Sequence, residues 1–458
     1  MLFSADSPLN APSRWLSRLT FPLFDLYDRS DRMQELDRLL FSQYWPRRVL
    51  EHAQLKALKR AIAYATTHVP YYAAHPRWNS KEAANINALS DLSLFPILTK
   101  AQVRDFNESL TTEERPLRDA LLSTKTGGST GTSLSLKFNH DAQQHRNAAA
   151  MRSDMWAGWR PGDWTGCLWG SPAYPEGLKQ RLRNVLRDRL VYLDTMWLDE
   201  TSMHAFLRSM QRKRMDALFG HAHSLYILAD FALKGGIRVP PPHAIVSTSM
   251  MLLASERARI EEAFKCKVTD RYGCEEVGLI ASECEQHSGY HVCAEHIIVE
   301  ILDEAGRPCA PGEIGRVIVT DLENRGMPLF RYEVGDLAAW AKTPCPCGRG
   351  LPTLERIVGR QADCLQRTDG SLVAGVSLVE RTLLAIEGLA QLQLVQESER
   401  TLRAYAVLSS GASQEAVTRA LSDALGKDLG ADIHLDIDVV ARIPQEKNGK
   451  YRFAIRRF

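Results

Sequence analysis

Residues 123–133 read STKTGGSTGTS, a run of glycines and hydroxyls with the chemistry of an anion cradle. Gly127, Gly128 and Gly131 admit backbone angles and close approaches that a Cβ resists. Thr126, Ser129, Thr130 and Thr132 surround them with hydroxyls, so exposed amides and side chains together suit phosphate oxygens. No Lys-Ser/Thr pair follows at Walker spacing, and the dinucleotide G-x-G-x-x-G pattern is absent. By residue type alone, a ligand-free Ser/Gly turn explains the stretch equally well.

Three later segments carry charge where such a cradle would need it. In DRYGCEEVGLIASEC (270–284) a strand-like run leads into Tyr272 and the adjacent acids Glu275 and Glu276. A carboxylate at a strand end is where α/β folds place Mg²⁺ and nucleotides, although adjacent acids also mark solvated edges. In LFRYEVGDLAAW, Asp336 follows Gly335 in a turn, where a carboxylate can accept both hydroxyls of a ribose; a turn-forming aspartate is the plainer reading. In ARIPQEKNGKYRF, Asn448-Gly449 signals a turn and Lys450 follows on a flexible stem. That lysine reads either as part of a basic tail or as a mobile cation for charge developing on a phosphoryl or carboxyl group.

Cysteine and histidine form a further constellation. Cys284 and His291 flank EQHSGY, and Cys345-Pro-Cys347 lies downstream. Such residues supply the donors tetrahedral Zn²⁺ prefers, with His287 and Cys293 as rival ligands and buried free thiols as the bland alternative.

The elements that must position these groups follow from pattern. The chain has 458 residues, 45% hydrophobic and 24% charged, enough for two or three domains with a real core. Lys+Arg 57 against Asp+Glu 55 leave a formal charge of +2, which argues against a nucleic-acid partner. No run approaches the roughly 18 apolar residues of a transmembrane segment, and no signal peptide is evident, so a cytoplasmic chain with its nine cysteines unpaired is expected. Residues 31–120 read as helices broken at Pro46 and Pro70. From 120 to 320, β-rich runs (VSTSMML, CKVTDRYG) alternate with helical ones (HSLYILADFALKG, SERARIEEAF), and HIIVEILDEAGRPCAPGEIGRVIVTDL reads as a hairpin. The last hundred residues make a compact strand–strand–helix–strand pattern. The expected class is α/β with α+β elements. A large domain of several sheets spans 1–359, with a mainly helical lead-in over 1–119, and a small mobile α/β lid domain spans 360–458.

In order and spacing, TGGSTGT, YGCEE, YEVGD, IVGRQAD and NGKYR resemble the core motifs of the adenylate-forming superfamily of acyl/aryl-CoA ligases. The resemblance spans 120–452. The shortened N-terminal region, with GWRPGDW, FGHAHSLY and CPCGR, is similar to the phenylacetate–CoA ligase-like branch, of the capsule-biosynthesis and coenzyme F390 synthetase type. The resemblance implies that residues 126–132 surround the ATP phosphates, that Tyr272 packs near the adenine, and that Glu276 ligates Mg²⁺. It further implies that Asp336 holds the ribose, that Arg360 lies near ribose or phosphate, and that Lys450 stabilises carboxylate attack on the α-phosphate, with Lys447 as the substitute candidate.

His221, Ser224, Tyr226 and Gly278 are expected to line the acyl pocket, and Cys284, His291, Cys345 and Cys347 to form a closed structural zinc site. The implied reaction joins a small-molecule carboxylic acid to AMP, then passes the acyl group to CoA or to the phosphopantetheine of a carrier protein. Alternatives are transfer of AMP to a hydroxyl, an amine or hydroxyl acyl acceptor, and nucleotide binding without turnover. This chain departs from the family pattern at Glu275, at Ala362 with Asp363 one position later, and at Ser249-Met250, where relatives often carry a glycine-containing adenine contact.

Overall fold

Leu50, Gln54, Ala57, Leu58, Ile62 and Ala65 recur at helical spacing, and in the computed structural model of the chain they form the buried face of the helix Arg47–His68. The structure describes residues 23–28, 30–125, 134–170, 177–409, 411–430, 432–443 and 451–458. Both prolines act as the pattern predicts. Pro46 immediately precedes that helix, and Pro70 occupies the first turn of the next, Pro70–Ala74, where a missing N–H costs nothing. The lead-in packs onto the body through an aromatic knot. Trp78 stacks on Phe95 at 4.4 Å between centroids, and the Tyr72 hydroxyl donates to the Pro328 carbonyl at 2.9 Å. Each large apolar side chain fully buried this way contributes about 1.5–3 kcal/mol.

A short antiparallel hairpin, β1 (Leu122–Lys125) and β2 (Ser135–Phe138), precedes the long helix His140–Trp156. Eleven strands then make one sheet. The parallel half holds β3 (Thr165–Trp169), β4 (Leu190–Asp194), β5 (Ala217–His221), β6 (Ala244–Thr248) and β7 (Val268–Cys274). The antiparallel half holds β8 (Gly278–Glu283), β9 (Tyr290–Val292), β10 (Ile297–Leu302), β11 (Ile314–Asp321), β12 (Tyr332–Trp340) and β13 (Thr353–Arg360). Their spatial order is β10-β11-β12-β13-β9-β8-β7-β6-β5-β3-β4. Strands β3, β5 and β6 are nearly continuous buried runs, as parallel strands covered on both faces require. The expected hairpin forms, with Ile297 opposite Asp321.

Beyond β13 a two-stranded ribbon, β14 (Cys364–Gln366) and β15 (Leu372–Ala374), leads into a four-stranded sheet ordered β18-β17-β16-β19. Its members are β16 (Leu389–Ser398), β17 (Thr401–Leu408), β18 (His434–Val439) and β19 (Ala454–Arg456), packed with helices Gly375–Ala385 and Gln414–Leu429 around their own core. The architecture is the α/β class expected, a large sheet domain followed by a small α/β unit.

Candidate active site

Parallel α/β sheets place ligands beyond the carboxyl ends of their strands, where strand order reverses. Here β3 lies between β4 and β5, so the reversal falls between β3 and β5. Their last residues, Trp169 and His221, meet at 4.4 Å between ring centroids, and Trp169 also stacks on Phe219 at 5.7 Å. A cleft of about 730 Å³ opens there, walled by strand ends from both halves of the sheet and by Tyr451, Arg452 and Phe453 of the small unit.

One side of the cleft brings a buried carboxylate, a guanidinium and a phenol together. Asp336 on β12 lies directly opposite Arg360 on β13, with the guanidinium 3.8 Å from the carboxylate. The Tyr272 hydroxyl, at the end of β7, donates to the other Asp336 oxygen at 2.8 Å. Burial holds the Tyr272 phenol well above its ordinary pKa, so it stays a donor. Burial also raises the Asp336 carboxyl above the usual range, against the opposing pull of Arg360.

Glu276 sits in the tight turn between β7 and β8, where Cys274 pairs with Gly278. Gly273 is required in this turn: a Cβ there would lie 2.5 Å from the Gly278 carbonyl oxygen. The two adjacent acids separate completely, Glu275 to solvent and Glu276 into the wall at 6% exposure. Glu276 accepts from the Tyr332 hydroxyl at 2.9 Å and lies 3.4 Å from the Lys100 ammonium. Burial works to raise its pKa, but the Lys100 charge, a backbone amide and Tyr332 prevail and hold it below the ordinary value. An ionised, inward-facing carboxylate of this kind fits a hard divalent cation.

Lys100 was not legible as a site residue. Its only local sign is the capping box of Thr99 and Gln102, which starts the helix Lys100–Asp105 and fixes where the lysine begins. Trp169 and Phe219 were missed as well, since apolar strand residues resemble core until the reversal point is known.

Of the residues expected to line the acyl pocket, His221 and Gly278 stand in the cleft wall. Ser224 and Tyr226 are not among the described residues of the cleft wall. The chain turns into the helix Ala222–Lys234 immediately after His221, which buries Ser224 completely and packs Tyr226 beside the cluster of Leu225 and Leu228. His223 accompanies them: it lies 2.6 Å from Glu256 and stacks on Tyr451 at 4.4 Å. That stack joins the large domain to the small unit. The Ala254 amide, donating to Glu380, reinforces the junction. Residues 126–132, Lys447 and Lys450 lie outside the described residues. Ser249 lines the cleft with φ of +67°, the left-handed conformation that glycine adopts freely, at a cost of about 1 kcal/mol.

Strand β8 begins at Gly278 in the cleft, and just past its end comes Cys284, at the second constellation. Cys284, His291, Cys345 and Cys347 place one donor atom each within 4.8 Å of one another. Cys284 Sγ lies 3.7 Å from Cys345 Sγ, and Cys347 Sγ 3.3 Å from His291 Nε2. Donors on a tetrahedral zinc, about 2.3 Å from sulfur, lie roughly 3.8 Å apart, so this spacing fits the ion. Burial lowers His291 to about 4, leaving the neutral ring that ligates metal. Cys347 stays below the ordinary thiol value because the Arg349 amide and guanidinium outweigh its burial. The rivals are elsewhere engaged: His287 lies 3.3 Å from Glu283, and Cys293 is buried beside Arg152.

Residues 365–457 match the family described as CapK C-terminal domain. The chain is 26% identical over 372 residues to a phenylacetate-coenzyme A ligase of Thermus thermophilus, covering 78% of this chain and 80% of that protein. It is 23% identical over 384 residues to protein CapK of Staphylococcus aureus, covering 81% and 80%. Its fold matches that of 2-hydroxyisobutyryl-CoA ligase in the postadenylation state in complex with R3-HIB-AMP, with a TM-score of 0.71, 20% identity, and coverage of 99% of this chain and 95% of that one. Among the described residues no helix is long and apolar enough to cross a membrane.

Proposed function

We propose, for a chain that belongs to the adenylate-forming superfamily in its phenylacetate–CoA ligase-like branch, the activity of an ATP-dependent acid ligase that ends in a CoA thioester. A carboxylate oxygen attacks the α-phosphorus of ATP, the bond to the bridging oxygen breaks, and pyrophosphate leaves with the electron pair. The CoA thiol then gives up its proton, its sulfur bonds to the acyl carbon, and AMP departs.

The convergence of Tyr272, Asp336, Arg360 and Glu276 on one cleft carries this reading. Asp336 accepts the ribose hydroxyls while Tyr272 and Arg360 hold its orientation. Glu276 is the residue that would hold Mg²⁺, which when bound neutralises phosphate charge. Residues 126–132 take the phosphates, and Lys450 supplies the cation for the attack. Tyr451, its neighbour in sequence, stands in the cleft wall, which supports that assignment. Positioning and charge neutralisation suffice, with no protein nucleophile. Rotation of the small domain, 360–458, past the Tyr451–His223 stack then exchanges faces for the thiol step. Cys284, His291, Cys345 and Cys347 hold a structural zinc, closed by four protein ligands.

ATP–pyrophosphate exchange with a panel of carboxylic acids tests the reading, followed by product analysis with CoA. Exchange that needs a particular acid, then a thioester, is the expected result. Labelled AMP remaining on a hydroxyl acceptor would replace the ligase with an adenylyltransferase.

A further inference from the structure

A second cavity, of about 370 Å³, adjoins the cleft. It shares a wall with the cleft at Ala150, Cys274, Glu275, Gly278 and Leu279, whereas Tyr272, Glu276, Asp336 and Arg360 line only the cleft. Gly278, expected in the acyl pocket, stands on that shared wall, so an acid held there extends toward the cavity. Gly278 makes the partition thin. It has φ of +79°, and a Cβ there would press to 3.0 Å from the Arg146 side chain.

The far wall is one face of the helix His140–Trp156. Gln143, Arg146, Asn147 and Ala150 fall three and four residues apart, as one helical face requires. That face is polar, whereas the cleft's own acyl end is aromatic with Trp169, Phe219 and His221. Arg146 offers no spare charge: its guanidinium lies 3.1 Å from Asp321, donates to the Glu276 carbonyl at 2.8 Å, and covers the Phe138 ring at 4.0 Å. Gln143 donates through Nε2 to Asn147 Oδ1 at 3.0 Å, which leaves the Asn147 amide nitrogen as a donor and the Gln143 carbonyl oxygen as an acceptor. Ser123 and Thr124 bring hydroxyls from β1, and Glu275 adds an exposed carboxylate to the shared wall. Burial keeps the Cys274 thiol protonated, so the chamber is not built for nucleophilic chemistry.

We infer that the acid this enzyme activates carries an uncharged hydrogen-bonding group, a hydroxyl or carboxamide, at the end remote from its carboxylate, and that Asn147 and Gln143 recognise it. The inference rests on the acid-ligase reading and deepens it. A second carboxylate is disfavoured: Glu275 repels it and Arg146 is already neutralised. A purely apolar tail leaves a paired amide face without a partner, and such a site discriminates against the group that cannot bond.

The test uses the full chain in ATP–pyrophosphate exchange, with phenylacetic and hexanoic acids as scaffolds. Each is supplied bare and with a terminal hydroxyl, carboxamide or carboxylate. The hydroxyl or carboxamide form of at least one scaffold is expected to exceed its bare parent about tenfold in kcat/KM, and the dicarboxylate to be the poorest. Asn147→Leu should remove that preference, and Gln143→Leu should reduce it, while KM for ATP is unaltered in both. Equal kcat/KM for bare and substituted acids, a preferred dicarboxylate, or a preference that survives both variants would overturn this inference alone. Exchange with no acid of any kind would overturn the ligase reading with it.

Discussion

The cleft, with its charged groups Asp336 and Glu276, and the Cys/His cluster are joined by strand β8, yet they are finished in opposite ways. In the cluster the donors face one another, are largely buried, and match the spacing of a single tetrahedral ion. In the cleft, each charged group is held by a partner that a ligand can replace or join: Asp336 by Tyr272 and Arg360, Glu276 by Tyr332 and Lys100. A site that only has to hold closes its coordination. A site that has to act keeps its charges oriented; burial raises the Asp336 carboxyl, whereas Lys100, a backbone amide and Tyr332 overcome burial and lower that of Glu276. Damage to the first should appear as lost stability, and damage to the second as lost rate.

The largest effect is expected from Lys450→Ala, which should lower kcat for exchange by about 100- to 1000-fold with thermal stability retained. Lys447→Ala, assayed in parallel, should leave most activity; the reverse result would move the catalytic role to residue 447. Next, Asp336→Ala removes charge-assisted bonds to the ribose and should cost about 100-fold in kcat/KM for ATP, again without a fall in Tm. Comparable loss of Tm in either variant would break the contrast between the two regions.

Cys345→Ser should behave inversely. It should reduce zinc content and lower Tm by about 5 °C or more, with KM for ATP preserved in the protein that remains folded. Full zinc content and an unchanged Tm would remove the metal from the account. The smallest effect concerns pH. Burial raises the Asp336 pKa and Arg360 lowers it, so the carboxylate we propose for ribose binding is lost on acidification sooner than an ordinary one. Arg360→Gln removes the opposing cation, and the acidic limb of kcat/KM for ATP should move to higher pH; an unmoved limb would separate Asp336 from that titration.

Much of the fold was legible because it depends on local pattern. Helical spacing in Arg47–His68, the two prolines at helix starts, and the turn signals between β10 and β11 all report short-range physics. The Cys/His set was legible for a different reason. Cysteine and histidine have few roles in a chain of this kind, and only the rivals His287 and Cys293 had to be separated by geometry. Ser224 and Tyr226 lie off the cleft wall because the chain turns from strand to helix at His221, and within one helical turn a neighbouring residue faces the core.

Residue type and order along the chain supplied the candidates: glycines and hydroxyls at 126–132, acids near strand ends, Lys450 and soft metal donors. Tertiary structure alone decided which groups act together. Lys100 reaches Glu276 across 176 positions of sequence, Asp336 meets Arg360 because β12 and β13 pair in that register, and Gln143 with Asn147 faces a chamber whose opposite wall is the β7–β8 turn. Contacts of that range depend on sheet order and helix rotation, which many distant residues set jointly, so no local window contains them.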